Sequence, residues 1–253
     1  MPNRNKHSTK SDDCAGLPRT GLEFGVAESV DQVIAAWQLV HNRYVDEGLI
    51  NSNETRLHTV RQAVSPDTSV IIGTLSDQVV STLTIMHDDD EHGLPLDTVY
   101  GNELNTLRRN GRRLLEVGLL ADRRVKMSRF ISALFQLIRY PYFNAKFSGR
   151  DMLAGVHPHH AGFYERSMGF EPWGPVRQYP RVNNQPVLLL RVNIDQVLKQ
   201  DKLPKATAIY EANPLPQEVF DHRYRFDPST LTGSDIESFF RLNSGNEHPL
   251  TAA

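Results

Sequence analysis

One carboxylate stands inside an apolar run: Glu116, in Leu114-Leu115-Glu116-Val117-Gly118-Leu119-Leu120. A carboxyl group flanked in this way is either buried or turned into a cleft. Burial favours its neutral form and lifts its pKa toward the range of a general base. The same group could hold a substrate ammonium, or serve structurally as the partner of Arg112 or Arg113. Gly118, two residues on, permits irregular backbone or merely eases packing. Further along, His157, His159 and His160 crowd around Pro158. Three imidazoles invite a metal, yet no cysteine or carboxylate lies close by at ligand spacing, so no metal site is expected. His157 and His160 remain secondary candidates for a base. Arg43 has the planar fork that takes a carboxylate through two hydrogen bonds; a solvated or ion-paired arginine is the plain alternative.

These residues need elements to hold them. GLEFGVAES reads as a first strand. Ser29 and Gln32 form a capping box ahead of an amphipathic helix over about 30–47, in which Val30, Val33, Ile34, Trp37, Val40 and Tyr44 recur at helical spacing. Residues 51–64 read as a second, weaker helix. Two β-rich runs, 68–75 and 79–86, are joined by a turn at Ser76-Asp77-Gln78. A short helix ends near Gly111. The run 113–121 is the central strand, and 128–147 a helix that Pro141 should kink or interrupt. MLAGV, HHAGFYERSM and PVLLLRVNI complete a strand, a helix and a last strand. The order βααββαβαβαβ predicts a mixed central sheet flanked by helices, an α/β (α+β) domain over 21–194. Residues 1–20 are polar and expected to be disordered. The extension 195–253 is polar and proline-bearing. It carries Phe220, Tyr224, Phe226, Phe239 and Phe240, too many aromatics for a plain linker, and Ser234 and Glu237 could cap one more helix within it.

Composition narrows the function. The net charge is −2 and the hydrophobic fraction 39%, which gives no electrostatic case for nucleic acid and supplies one good core. The single cysteine, Cys14, rules out an internal disulfide. No apolar run approaches the roughly 20 residues of a membrane span, and the first residues lack a secretory signal's apolar core. The expectation is a cytoplasmic protein.

The segment GVHPHHAGFYERSMGF resembles the fourth helix of the GNAT acyltransferases, where a tyrosine precedes a Gly-Phe pair. HNRYVDEGLI, RLLEVGLLADRR and the stretch from His157 to Val192 together resemble the long-chain N-acyl amino acid synthases, relatives of the acyl-homoserine lactone synthases. The resemblance spans about 22–194. It implies a GNAT fold and an amide-forming enzyme that takes a long acyl chain from acyl carrier protein to the α-amine of an amino acid. It also implies Glu116 as base or ammonium ligand, Tyr164 as the group that hydrogen-bonds the leaving sulfur, and a strand bulge near Gly118, Leu119 and Leu120 that frees a backbone N–H for the thioester carbonyl. No tightly bound cofactor is expected; the donor is the acyl-phosphopantetheine of the carrier, with acyl-CoA as the alternative. CoA-using relatives carry a glycine-rich pyrophosphate loop after the central strand, and here that place reads DRRVKMSRF, without glycine. Arg108, Arg109, Arg112, Arg113, Arg123, Arg124, Lys126 and Arg129 flank the strand, with Glu116 and Asp122 opposing. Such a patch suits an acidic carrier protein, whose dock is expected at Arg123, Arg124, Lys126 and Arg129. Phe130, Leu134 and Phe135 are expected to line an acyl tunnel. A CoA-dependent N-acetyltransferase, a synthase with another acceptor such as a homoserine lactone or ornithine lipid, and a non-catalytic acyl-binding domain are the competing readings.

Overall fold

The computed structural model describes residues 22–123 and 127–226, with 127–129 as backbone only. An eight-stranded sheet runs β1-β2-β3-β4-β5-β8-β6, and β7 also pairs with β8. The strands are β1 (Glu23–Val26), β2 (Ser69–Leu75), β3 (Gln78–His87), β4 (Leu114–Asp122), β5 (Asp151–Val156), β6 (Glu171–Pro172), β7 (Arg177–Tyr179) and β8 (Gln185–Val192). Among the described residues only β4 and β5 pair in parallel; the other pairings are antiparallel. This is the predicted mixed sheet. The β2–β3 turn is two residues, Ser76 and Asp77, both at positive φ (48° and 61°), the left-handed geometry that suits the twist of a hairpin.

The helices are α1 (Val30–Asp46), α2 (Asp97–Arg109), α3 (Met127–Ser148), α4 (Pro158–Met168), α5 (Ile194–Val197) and α6 (Lys205–Ala212). Ser29 caps α1, accepting from the Gln32 N–H at 3.3 Å, while Gln32 reaches back to the Glu28 N–H at 2.8 Å. α3 runs through Pro141 without a break: Tyr140, Tyr142 and Phe143 are buried around it, and their packing outweighs one missing N–H.

The second helix expected over 51–64 does not form; one 3₁₀ turn, Arg61–Val64, is all that is helical there. Side chains capture the backbone instead. Asn53 donates to the Leu57 carbonyl at 2.8 Å, Thr55 bonds the Asn53 side chain at 3.0 Å, and the Leu57 N–H donates to Thr55 at 3.3 Å. Such local bonds compete directly with a helix.

The two faces of the sheet are covered differently. α1 buries Trp37 and Val40 against Val70, Ile72, Met86, Leu119 and Ala121. α2 buries Tyr100 and Leu104 against Leu114, Leu153 and Leu189 on the same side. α3, α4 and the described part of the C-terminal extension cover the other face, over Leu83, Ile85, Leu115 and Leu190. The Tyr210 hydroxyl of α6 donates to the Phe135 carbonyl at 2.6 Å. The chain then crosses to α1, where Phe226 stacks on Trp37 at 5.4 Å. Phe239, Phe240 and the helix expected from Ser234 lie outside the described residues. No helix among the described residues is long and apolar enough to cross a membrane.

Candidate active site

β4 and β5 stay in register from Leu114↔Asp151 to Val117↔Ala154 and then part. β5 continues along β8 to Val156↔Leu188, while β4 continues along β3. β4 carries an extra residue here: Thr84 pairs with Gly118, but Thr82 pairs with Ala121. This β-bulge is centred on Leu119, at φ +51°. The extra residue reverses the alternation of the strand. Leu114 faces the α1–α2 side before the bulge, and Leu119 and Ala121 face it after. The register pairs neither Leu119 nor Leu120 with β3 or β5.

A cavity of about 210 Å³ opens at this gap, between the clusters under α1 and α2. Tyr44, Leu49 and His58 wall it on the α1 side, Pro95 and Leu96 ahead of α2. Glu116–Leu119 form its floor with Gly155, Val156 and His157, and Tyr179, Arg181 and Gln185 of the β7–β8 hairpin close it.

Glu116 is buried on this floor. Its Oε2 accepts the Leu96 N–H at 2.9 Å. Its Oε1 is 3.9 Å from where a Gly118 Cβ would stand, and that Cβ would meet Met86 Cε at 3.1 Å. Gly118 thus leaves room beside the carboxyl group. Neither arginine proposed as a structural partner reaches it. Arg112 pairs with Asp151 and Arg113 donates to the Ser148 carbonyl. Burial dominates and pushes the Glu116 carboxyl up to about 8, with Asp97 and Asp88 adding to the rise and the Leu96 bond and Arg181 opposing it. Leu96 is itself held close: a Cβ on Gly155 would stand 2.8 Å from Leu96 Cδ2 and 3.0 Å from Val187 Cγ2.

His58 and Tyr44, which share the cavity wall, are kept neutral. Burial first, then His41 and Arg181, bring His58 down to about 4. Its ring lies 5.2 Å from that of Tyr44. Burial, helped by Tyr164, raises Tyr44 to about 12. Tyr164 packs on the α3–α4 side, edge-on to Phe163 at 5.5 Å and Phe170 at 5.9 Å. Burial holds its hydroxyl near 12, protonated and able to donate across neutral pH. Tyr164 is not among the residues that line the cavity.

Other expected site residues fall elsewhere. Arg43 spends its guanidinium on Asp46 at 3.2 Å and Glu47 at 2.6 Å of its own helix, outside the cavity wall. Phe130, Leu134 and Phe135 lie on α3, across the sheet from the cavity. Leu134 is fully in the core, and Phe135 meets Phe163 edge-on at 5.9 Å. The basic patch is less basic than its sequence suggests: Arg108 is held by Asp88 and Asp97, each at 2.7 Å, and Arg112 by Asp151. Arg123 is exposed, 3.3 Å from Gln78; Arg124, Lys126 and the Arg129 side chain lie outside the described residues. His157 caps α4, accepting the His159 N–H at 3.2 Å, and borders the cavity. Among the described residues no cluster of His, Cys, Asp or Glu could hold a metal ion.

The family model described as N-acyl amino acid synthase FeeM matches residues 35–193, more than half of the chain. The chain belongs to this family. It is an amide-forming N-acyltransferase with the GNAT fold. No curated protein sequence matches it. Among solved structures it is similar to FeeM, an N-acyl amino acid synthase from uncultured soil microbes, with TM-score 0.61 and 20% identity, over 69% of this chain and 91% of that one. It is also similar to the AHL synthase LasI, with TM-score 0.55 and 12% identity, over 78% of this chain and 97% of that one. At these identities the likeness speaks to the fold, and the roles of residues in this synthase rest on its own geometry.

That geometry brings in residues the sequence did not mark for the site: Tyr44, known only as part of the apolar face of α1, and His58, Leu96, Gly155, Tyr179 and Arg181. Tyr179 and Arg181 precede Asn183-Asn184, both at positive φ. An Asn-Asn pair just before an apolar run is a hairpin signal, and it marks where these two side chains are turned back over the sheet.

Proposed function

We propose that this enzyme moves a long-chain acyl group from the phosphopantetheine of acyl carrier protein to the α-amine of an amino acid. The observation that carries the reading is Glu116: a buried carboxyl group bonded by one backbone N–H, with both neighbouring arginines committed elsewhere, beside the open space of Gly118. An isolated buried carboxylate is costly to a fold, and a proton acceptor poised near neutral pH is what such an environment supplies.

In this mechanism the donor thioester lies in the gap between β4 and β5. Its carbonyl oxygen accepts a backbone N–H from the bulge at Gly118–Leu120, which stabilises the tetrahedral oxyanion. Ionised Glu116 takes a proton from the acceptor ammonium, and the amine nitrogen bonds to the carbonyl carbon. As the carbon–sulfur bond breaks, the nitrogen gives up its second proton, which ends on the departing sulfur to leave a thiol, and the Tyr164 hydroxyl hydrogen-bonds that sulfur or relays the proton to it. The absence of glycine from residues 122–130 favours a carrier protein over CoA, because a pyrophosphate cradle needs close backbone approach. Of the residues proposed to dock the acidic carrier, Arg123 is the described one, and it is exposed.

The test offers the enzyme long-chain acyl-acyl carrier protein and acyl-CoA in separate reactions with a mixture of amino acids, and weighs the products. N-acyl amino acids formed much faster from the carrier are expected, with a KM that rises with salt. Equal use of acyl-CoA overturns the carrier as donor, and acylation of other amines alone overturns the acceptor.

A further inference from the structure

His157 follows β5 directly, on the lip of the gap that faces the bulge of β4, and lines the cavity together with Gly118 and Leu119. A second task fixes its chemistry. His157 is extended, at φ −61° and ψ 133°, and its side chain caps α4. Nδ1 accepts the His159 N–H at 3.2 Å. An accepting Nδ1 carries no proton, so the ring's proton is on Nε2. Nε2 lies across the ring from the capped N–H and is bonded to no group among the described residues. The ring meets that of His160 edge-on at 6.0 Å. With Nδ1 spent on the cap and Nε2 already protonated, His157 is a fixed donor rather than the base its position in the sequence suggests. His58, the other imidazole of the wall, comes from the loop after α1 and not from this lip.

The oxyanion of acyl transfer is held by backbone and side-chain donors aimed at one point. We propose that the Nε2–H of His157 is a second donor to the thioester carbonyl, acting from the β5 lip opposite the backbone N–H of the β4 bulge, which makes His157 a catalytic residue. This rests on the thioester lying in the gap, as proposed above. The strands suit it. They stay in register to Val117↔Ala154 and part beyond it, so Leu119 and His157 stand just past the fork on facing lips. An oxygen that accepts from both sides at about 2.9 Å needs donors up to about 6 Å apart. That is slightly wider than the roughly 4.8 Å between paired strands, and a gap that has just opened supplies it.

The experiment separates the two ring nitrogens. Asparagine puts its side-chain oxygen where Nδ1 stands and is a favoured cap, but it does not reach to Nε2. Glutamine puts its amide N–H where Nε2 stands. Wild type, His157→Asn and His157→Gln are compared with long-chain acyl-acyl carrier protein and the acceptor that the mixture test selects. The readouts are kcat, both KM values, their course from pH 6 to 9, and melting temperature. His157→Asn is expected to melt with the wild type and to lose roughly 10²-fold in kcat, the worth of one oxyanion donor, evenly across pH and with both KM values little changed. His157→Gln should keep most of the turnover while melting slightly lower. Equal turnover in the two variants overturns the proposal, whether both are active or both are lost. His157→Gln as the weaker of the two marks a cap alone and overturns it. A loss that closes as pH rises marks a base and overturns it too. A wild type that takes acyl groups from neither acyl carrier protein nor acyl-CoA overturns the thioester reading along with it.

Discussion

The two ends of the β4–β5 pairing bury one carboxyl group each, and treat them in opposite ways. At the closed end, Asp151 opens β5 opposite Leu114. Burial alone would raise its pKa, but Arg112 and Arg191 reverse that and hold the carboxyl below the usual range. Arg191 bonds Asp151 at 2.8 Å, Asn193 adds 2.7 Å, and Arg191 also reaches Glu171 at 2.7 Å and lies over Trp173 at 4.4 Å. At the open end, Glu116 receives one backbone N–H, and burial outweighs the charge of Arg181 across the cavity, so its pKa moves up to about 8. Two buried acids on adjacent strands thus differ in partners rather than in depth. Where two arginines bond the acid directly it is a fastener; where its bonded partner is a backbone N–H it stays able to exchange a proton.

Removing the charge at each end should break the molecule in different ways. Glu116→Gln is isosteric and keeps the Leu96 bond, so it should leave the fold intact and lower turnover by roughly 10²–10⁴-fold, the range of general base catalysis. An unchanged rate at neutral pH takes Glu116 out of the chemistry. Asp151→Asn should instead cost stability, because the buried Arg191 loses its buried counter-charge and keeps only the half-exposed Glu171. A loss of about 3 kcal/mol or more in urea unfolding is expected. If Asp151→Asn proves as inactive as Glu116→Gln while fully stable, the division between fastener and base is wrong.

pH sharpens the contrast. In the unfolded chain Glu116 loses its proton near its ordinary value of 4.5, while in the native state it keeps it up to about 8. Between those values the unfolded chain binds fewer protons, so stability falls as pH rises, by up to about 1.4 kcal/mol per pH unit from this group. Asp151, lowered when folded, acts in the reverse sense. Its contribution is present above its unfolded pKa and is lost only as pH falls into the acid range below it. Glu116→Gln should therefore gain stability over the wild type steadily from pH 5 to 8. Parallel curves across that window would mean that Glu116 is ionised in the native state.

Much of this arrangement is legible in the sequence, and the gaps have physical reasons. Glu116 stands out because it is charged in an apolar run. The β2–β3 hairpin and α1 announce themselves through turn residues and periodicity. The bulge is different. Residues on both sides of Leu119 are apolar, so a reversal of the alternation leaves no mark in the hydrophobic pattern, and only the family resemblance pointed to it. The pairing of Arg108 and Arg112 was not legible, because their counter-charges, Asp88, Asp97 and Asp151, lie outside the basic segment. Phe130, Leu134 and Phe135 show a matching limit. Helical spacing identifies their apolar face on α3 but not what that face packs against.

Gly155 carries the smallest of these effects. Its φ is not in the left-handed region, so alanine there meets a question of space alone. The added methyl would stand 2.8 Å from Leu96 Cδ2 and 3.0 Å from Val187 Cγ2. Both are side-chain ends that can give way, so the cost in stability should stay near 1 kcal/mol. The consequence lies one step further. Leu96 donates the N–H that favours the ionised form of Glu116, and pushing Leu96 outward lengthens that bond. Weakening a bond to the charged form moves a carboxyl pKa up. Gly155→Ala should therefore shift the rising limb of kcat/KM to higher pH, losing a few-fold near pH 7 and recovering on the alkaline side. A pH–rate profile reads this directly. A uniform loss at every pH would mean that the methyl obstructs the cavity itself, and an unmoved midpoint would mean that Leu96 yields by side-chain rotation while its backbone holds Glu116 as before.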